Sequence, residues 1–323
     1  MKKTILAFSR VHPSLLAPYA DQFNIIVLDP KEGDLDAQFQ AALPKAHGLI
    51  GGNRKFGERD LEAAENLEII SSISVGYDNY DLAYLNRRGI MLTNTPDVLN
   101  ETTADLALAL ILATARRIPE LDAWTKSGSW SKTIDESAFG CDVHGKTLGI
   151  IGLGKIGAAI ARRGRFGFGM EILYSGNSRK PELEKELDAR YVPQEHLLRE
   201  ADFVCPVVPL SAQTRNLISR KELSLMKSEA ILINVSRGAV VDEEALIDAL
   251  QNHRIRAAGL DVYAKEPMSE SPLFKLTNAV TVPHIGSATT QTRLAMAQRA
   301  LKNLLDGLRG QVPVDLVNRE ATR

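Results

Sequence analysis

The stretch Thr147-Leu-Gly-Ile-Ile151, followed at once by Gly152-Leu-Gly154-Lys-Ile-Gly157 and Ala158-Ala-Ile-Ala-Arg-Arg163, decides how the rest of the chain is read. A short apolar run with β-branched residues makes a strand, and the Ala-rich run after the glycines makes a helix. A bare G-x-G-x-x-G is a weak signal, but between a strand and a helix it is a dinucleotide fingerprint. Gly152 permits the tight turn, Gly154 lets the backbone approach a pyrophosphate, and Gly157 lets helix and strand pack closely. The helix N-terminus then faces the phosphates.

Working outward in both directions, strand-length apolar runs alternate with helix-length amphipathic runs, the pattern of βαβ units and parallel sheets. Downstream the expected strands are 172–174, 203–208, 230–235, 258–262 and 280–282; upstream they are 4–8, 25–28, 48–50, 69–73 and 90–92. Helical patterns near 14–21, 34–42, 58–65 and 79–87 separate the upstream strands. The rhythm stops at Thr95-Pro96-Asp97, and residues 101–126 read as one long helix able to connect two domains. A second long pattern covers 289–308, so the middle of the chain is expected as an insertion. The fold class is α/β with two doubly wound parallel sheets. A flavodoxin-like substrate domain, 1–99 and 286–323, is interrupted by a Rossmann-like dinucleotide-binding domain, 100–285. No internal repeat or low-complexity segment appears.

The composition agrees with this division. At roughly 150 residues per domain, a chain of 323 residues is expected to form two. The 39 basic and 40 acidic residues leave a net charge of -1, which offers no field for nucleic acid. Two cysteines, Cys141 and Cys205, cannot build a disulfide framework, and no Cys-x-x-Cys suggests metal; none is expected. The apolar run 5–8 ends at Ser9-Arg10, far short of a signal-peptide core, and 106–115 is about half of the roughly 20 residues that span a bilayer. A cytoplasmic protein without membrane or nucleic-acid partners is expected.

Strand ends carry the chemistry, because ligands bind there in open α/β sheets. The strand after the glycine turn runs into Ser175-Gly-Asn177-Ser178-Arg179-Lys180, with no acid before Glu182. A carboxylate would accept from ribose hydroxyls and repel a 2'-phosphate, whereas Asn177, Ser178 and Arg179 suit that phosphate. NADP(H) is therefore expected in preference to NAD(H). Of six histidines, His284 alone ends an apolar strand, before Gly286 and Ser287. Arg237 follows another strand and precedes Gly238, and Glu266 lies just past a third. The three place a cation, a carboxylate and an imidazole on successive strand ends.

Gly152-Leu-Gly-Lys-Ile-Gly157, Asn234-Val-Ser-Arg-Gly-Ala-Val-Val-Asp242, Ala258-Gly-Leu-Asp-Val-Tyr263 with Glu266-Pro267, and Pro283-His-Ile-Gly-Ser-Ala288 together resemble the signatures of the D-2-hydroxyacid dehydrogenases. The resemblance covers essentially the whole chain. It is strongest to the glyoxylate/hydroxypyruvate reductase and 2-ketogluconate reductase branch, through Ser74-Val-Gly-Tyr-Asp-Asn79, Asp142-Val-His-Gly-Lys-Thr147 and the Asn177-Ser-Arg179 loop.

The resemblance implies NADPH-dependent reduction of a small 2-keto acid to the D-2-hydroxy acid. His284 would be the general acid, Glu266 would hold its other ring nitrogen, and Arg237 would grip the substrate carboxylate. Backbone N–H groups of Val75 and Gly76 would contribute from the first domain, with Ser287 beside the substrate. Around the cofactor it implies Thr103, Gly152, Gly154, Lys155, Ile156, Gly157, Asn177, Ser178, Arg179, Val208, Pro209, Thr214, Val235, Ser236, Arg237, Asp261, His284 and Gly286. Closure of the two domains would exclude water. A homodimer built on the inserted domain is implied, and the apolar helix 106–115 suits its interface.

One departure concerns Ser137-Ala-Phe139, where the reductases usually carry a Trp that shapes the substrate pocket. A smaller side chain there admits a longer substrate, which keeps 2-ketogluconate or its 6-phosphate level with glyoxylate and hydroxypyruvate. Phosphoglycerate and formate dehydrogenases, and dinucleotide-binding corepressors of the same fold, are the competing readings.

Overall fold

The computed structural model describes residues 2–322, and the chain divides into two compact units, Met1–Leu99 with Thr289–Arg323, and Asn100–Ala288. The first unit holds β1 (Thr4–Ala7), β2 (Asn24–Val27), β3 (Gly48–Gly51), β4 (Ile69–Ser72) and β5 (Met91–Thr93). All pair in parallel, in the order β2-β1-β3-β4-β5. Alternate residues serve opposite faces, as a doubly covered sheet requires. Leu6, Leu49 and Ile70 join Phe39, Phe56 and Leu85 in one core layer. The other face is covered by the helix Thr290–Leu308, whose Ala297, Ala300, Leu304 and Leu308 are buried, and Ser71 Oγ donates to Ala300 O at 2.7 Å.

Three expected helices of this unit differ. The run 58–65 is a string of turns with Leu61 N to Glu58 O and Ala64 N to Leu61 O bonds, which bury Leu61 and Ala64 without a helix. The run 14–21 gives only Pro13–Leu16 and a tight turn, since Pro18 has no N–H to continue a helix. The run 79–87 begins at Leu82, because Asp81 Oδ1 accepts from Tyr84 N at 2.9 Å and caps it there.

The second unit holds β6 (Thr147–Ile151), β7 (Glu171–Ser175), β8 (Ala189–Tyr191), β9 (Phe203–Pro206), β10 (Ile231–Asn234), β11 (Ala257–Leu260) and β12 (Ala279–Thr281). The parallel order is β12-β11-β10-β9-β6-β7-β8, so the direction reverses at β6 and the glycine turn stands at the switch point. The sequence pattern missed β8, an edge strand whose Arg190 and Tyr191 are exposed and give no apolar run.

The long helix expected over 101–126 is two, Asn100–Ala115 and Ile118–Lys126. Arg117 breaks it at φ 56°, with Pro119 in the next turn and the Arg117 guanidinium held on both Glu120 oxygens at 2.9 and 2.7 Å. Helix Asn100–Ala115 is no connector. It lies wholly in the second unit, burying Ala107, Leu108, Leu110 and Ile111 against β10, β11 and the helix Lys155–Arg162. Those residues belong to the unit's own core, while Leu106, Ala109, Leu112 and Ala113 on the same helix stay partly or fully exposed. The return to the first unit also falls three residues later than expected, after Ala288 rather than 285. The reason is local: Ile285 and Gly286 N–H donate to Asp261, and Thr103 Oγ1 donates to Gly286 O, which ties them to the second unit. Among the described residues no helix is long and apolar enough to cross a membrane, and no acidic, His or Cys cluster could hold a metal.

Candidate active site

The glycine turn tests whether a dinucleotide fits. Gly152 sits at φ 99°, and a Cβ there would lie 2.5 Å from Val207 O and 2.7 Å from Val208 Cγ1. A Cβ on Gly157 would lie 2.4 Å from Gly152 O, so strand, turn and helix close on one another. Gly154 differs, for its Cβ would meet nothing within 4 Å. It caps the helix Lys155–Arg162 without any side-chain bond to the first N–H groups. Backbone donors therefore face open space, the layout that receives phosphate. A groove of about 420 Å³ lies against it, with Lys155, Arg162 and Lys180 in its wall. Val208 packs on the turn, and Thr214 Oγ1 donates to Pro209 O at 2.6 Å, folding the segment after β9 back beside it.

Beyond β7, Asn177, Ser178 and Arg179 are exposed, but Arg179 is not idle. Its Nη2 and Nε meet Glu184 at 2.5 and 3.1 Å, while Tyr174 OH donates to the same carboxylate at 2.5 Å and accepts from Lys180 N at 2.7 Å. The Arg179 bond first, and Tyr174 second, hold the Glu184 carboxyl down to about 2. The acid absent from the loop is thus supplied by the following helix, where it orients Arg179.

The second cluster assembles from β10, β11 and β12. Asn234, buried at the end of β10, accepts from Ser236 N at 3.1 Å and Ser236 Oγ at 3.0 Å and donates to Arg237 O at 3.0 Å. That clamp fixes Val235, Ser236 and Arg237 as a rigid turn. Gly238 follows where a Cβ would stand 1.8 Å from Tyr263 C, so no other residue fits. Arg237 Nη1 donates to Ser236 O at 2.8 Å. Past β11, Tyr263 N donates to Glu266 Oε1 at 2.9 Å, and Tyr263 OH donates to Val282 O at 3.0 Å, joining the β11 and β12 ends.

His284 Nδ1 meets Glu266 Oε2 at 2.5 Å. Burial raises the Glu266 carboxyl, but the bonds from His284 and Tyr263 N outweigh it and the group lies below the ordinary carboxylate range. With Nδ1 donating to that carboxylate, Nε2 is the nitrogen left to exchange a proton with a ligand, and the His284 side chain keeps 42% of its exposure. His284 itself sits at φ 52°. Such a backbone costs roughly 1–3 kcal/mol. It is held by Asp261, whose two carboxylate oxygens accept from Ile285 N at 2.6 Å and Gly286 N at 2.9 Å. Bonds to a charged group contribute roughly 1.5–3 kcal/mol each, enough to prevail. Burial pushes Asp261 up to about 6, against the Ile285 N–H, nearby His284 and the Gly286 N–H. Thr103 closes the cluster from the helix Asn100–Ala115 through its 3.1 Å bond to Gly286 O.

The structure thus brings Arg237, Glu266, His284, Asp261, Thr103 and Gly286 into one network of hydrogen bonds and charges, with Val235 and Ser236 on the clamped turn and Ser287 next along the chain. Gly152, Gly154, Lys155, Ile156 and Gly157 form the turn and its helix. Val75 and Gly76 lie in the first unit beyond β4, where Asn94 Nδ2 donates to Val75 O at 2.7 Å. Two positioning roles escaped the sequence reading: the Asn234 clamp, and Asp261 as the holder of the 284–286 backbone. A buried Asn ending an all-apolar strand is the signal that could have revealed the first.

Residues 108–286 match the family model described as D-isomer specific 2-hydroxyacid dehydrogenase, NAD binding domain. The chain is 46% identical over 98% of its length, and 99% of the relative's, to glyoxylate/hydroxypyruvate reductase B of Klebsiella pneumoniae. Among solved structures it is similar to a Thermus thermophilus protein at 39% identity and TM-score 0.87, covering 97% of this chain and 99% of that one. It is also similar to an NADPH-dependent glyoxylate/hydroxypyruvate reductase of Sinorhizobium meliloti, in complex with NADP and malonate, at 32% identity and TM-score 0.86, covering 99% and 98%.

Proposed function

The chain belongs to the D-isomer specific 2-hydroxyacid dehydrogenases, and from that premise we propose that it reduces a small 2-keto acid to the D-2-hydroxy acid with NADPH. The observation that carries the reading is the His284–Glu266 pair at 2.5 Å, with the following backbone held by Asp261. Glyoxylate and hydroxypyruvate are the first substrates, in keeping with the relatives' names. 2-Ketogluconate and its 6-phosphate follow, since Phe139 stands where the reductases usually carry Trp.

When bound, the nicotinamide supplies the hydride to the carbonyl carbon. His284 gives the Nε2 proton to the carbonyl oxygen as its negative charge develops, and takes it back in the reverse direction. Glu266 neutralises the imidazolium and fixes the ring so that Nε2 is the reacting nitrogen. Arg237 receives the substrate carboxylate in the planar geometry of a guanidinium, and the Val75 and Gly76 N–H groups assist. Gly154 and the first N–H groups of its helix take the pyrophosphate, while Arg179 with Asn177 and Ser178 takes the 2'-phosphate. The similar Sinorhizobium reductase, NADPH-dependent and in complex with NADP, supports that preference, with NADH as the weaker donor. Ile118, Trp130, Ile134 and Phe139 are exposed apolar side chains on one segment of the second unit, and we assign them to a homodimer interface.

The test follows NADPH absorbance with glyoxylate, hydroxypyruvate, 2-ketogluconate and pyruvate. Turnover with the first two is expected. Silence with every 2-keto acid alongside tight dinucleotide binding would overturn the enzyme reading. Light scattering reports the dimer, and Trp130→Asp should give monomers.

A further inference from the structure

The five-stranded sheet has a switch point of its own, because strand order reverses between β1 and β3. Ligands of open α/β sheets settle in the crevice beyond the carboxyl ends of strands at such a point. Three strand ends meet here: Ser9-Arg10 after β1, Gly52-Asn53 after β3, and Ile73 after β4. Ser9 ties the first two, donating to Gly52 O at 2.7 Å and accepting from Gly52 N at 2.9 Å. Arg10 crosses the crevice from a backbone at φ 58°, and its Nη1 reaches Ile73 O at 3.4 Å. The missing side chain of Gly52 makes room, since a Cβ there would lie 3.1 Å from Arg10 Cδ.

One long bond to a carbonyl does not neutralise a half-buried guanidinium. Among the described residues Arg10 makes no ion pair with a carboxylate. Its charged neighbour is a second cation, Arg293, in the first turn of the helix Thr290–Leu308. Burial first, and Arg293 second, bring the Arg10 guanidinium down to about 10, a cost that a bound anion would remove. The Tyr80 hydroxyl, beside Arg10, is buried against the hydroxyl of Ser72 at the end of β4. A guanidinium with one long bond, a second cation beside it and a buried hydroxyl pair at a switch point are the makings of an oxyanion site.

We propose that Arg10 and Arg293 form a subsite for a second anionic group of the substrate, a carboxylate or a phosphate carried at the end of the 2-keto acid remote from the reacting carbonyl. The proposal rests on the preceding functional reading, in which Val75 and Gly76, just beyond Ile73 on the same strand end, receive the reacting end of that molecule. The preferred substrate is then a dianionic or trianionic 2-keto acid rather than glyoxylate.

Two matched pairs test it in the full-length protein with NADPH: hydroxypyruvate against its phosphate ester, and pyruvate against oxaloacetate. The first pair reads phosphate and the second carboxylate. The wild type should favour the more anionic member of at least one pair in kcat/KM. Arg10→Met should lower that ratio by about tenfold or more, and Arg10→Lys should restore part of it. Equal losses for both members of each pair, or an unchanged ratio, would overturn the subsite and leave Arg10 as a tether of the strand ends. Calorimetry with inorganic phosphate and with malonate supplies a second readout, in which binding should weaken in Arg10→Met, and its indifference to Arg10 would also overturn the proposal. If no 2-keto acid is turned over yet Arg10-dependent anion binding persists, the functional reading fails and the anion site stands.

Discussion

Within the second unit, the glycine turn after β6 and the strand ends after β10, β11 and β12 solve different problems. The turn is made by what its residues lack: two absent Cβ atoms let strand, turn and helix touch, and a third leaves open space over backbone donors. The strand ends are made by what their residues hold. Asn234 clamps the Arg237 turn, Asp261 clamps the backbone after His284, and Glu266 orients the imidazole. A backbone cradle binds without committing to a reaction. A clamped side-chain cluster fixes a proton, a cation and their geometry, which is what a reaction needs.

The comparison breaks first at His284. His284→Gln should cut kcat by roughly 100-fold to 10,000-fold while NADPH still binds, since it removes the proposed proton donor and leaves the cradle intact. A near-normal rate in stopped-flow or steady-state assays would remove His284 from the mechanism.

The next effect separates the glycines. Gly152→Ala places a Cβ 2.5 Å from Val207 O on a backbone at φ 99°, so the melting temperature should fall by several degrees, roughly 1–3 kcal/mol of strain. Gly154→Val meets no protein atom at its Cβ, so its melting temperature should hold while dinucleotide affinity drops by about tenfold or more. A Gly154 variant that binds dinucleotide normally would show that the cradle lies elsewhere.

A pH experiment sharpens the side-chain half. Asp261 at about 6 in the folded protein lies above the ordinary carboxyl value of about 3.9. Between those values the folded state holds the extra proton, so this group's contribution to stability falls as pH rises through the window. Asp261→Asn has no such dependence. In denaturant titrations its deficit against wild type should therefore be smaller at about pH 7 than at about pH 4. Equal deficits would mean that the buried charge is not the source of the shift.

The smallest effect concerns the loop after β7. Arg179→Ala should weaken NADPH by about tenfold more than NADH, because in the proposed site the guanidinium meets the 2'-phosphate, which NADH lacks. Equal weakening of both would assign Arg179 to its bond with Glu184 alone.

The same division explains what could be read from the sequence. The glycine turn was legible because its parts lie next to one another at fixed spacing. The alternation of strands and helices was legible because the strands of both sheets are short apolar runs between polar turns. His284, Arg237 and Glu266 stood out as strand-end residues, but their clamps did not. Asp261 acts on Ile285 and Gly286 across two β strands, and Asn234 reads as one more polar residue after an apolar run. Helix ends misled for the opposite reason. The break at Arg117 and the turns over 58–65 depend on capping contacts and loop burial that periodicity does not report. The edge strand β8 had no hydrophobic signature, because two of its three residues face water.

The split first unit has a consequence for how the chain is made. Its five strands leave the ribosome before the second unit, but the helix Thr290–Leu308 that covers one face of their sheet is synthesised only after it. The second unit carries all seven of its strands and their flanking helices in one continuous segment, Asn100–Ala288, and is free to fold while the tail is still being translated. Nascent-chain order thus runs opposite to completion order. The amino-terminal sheet, with Ile5, Ile50 and Ile69 awaiting cover, is the surface that a chaperone or a stalled translation product would meet first.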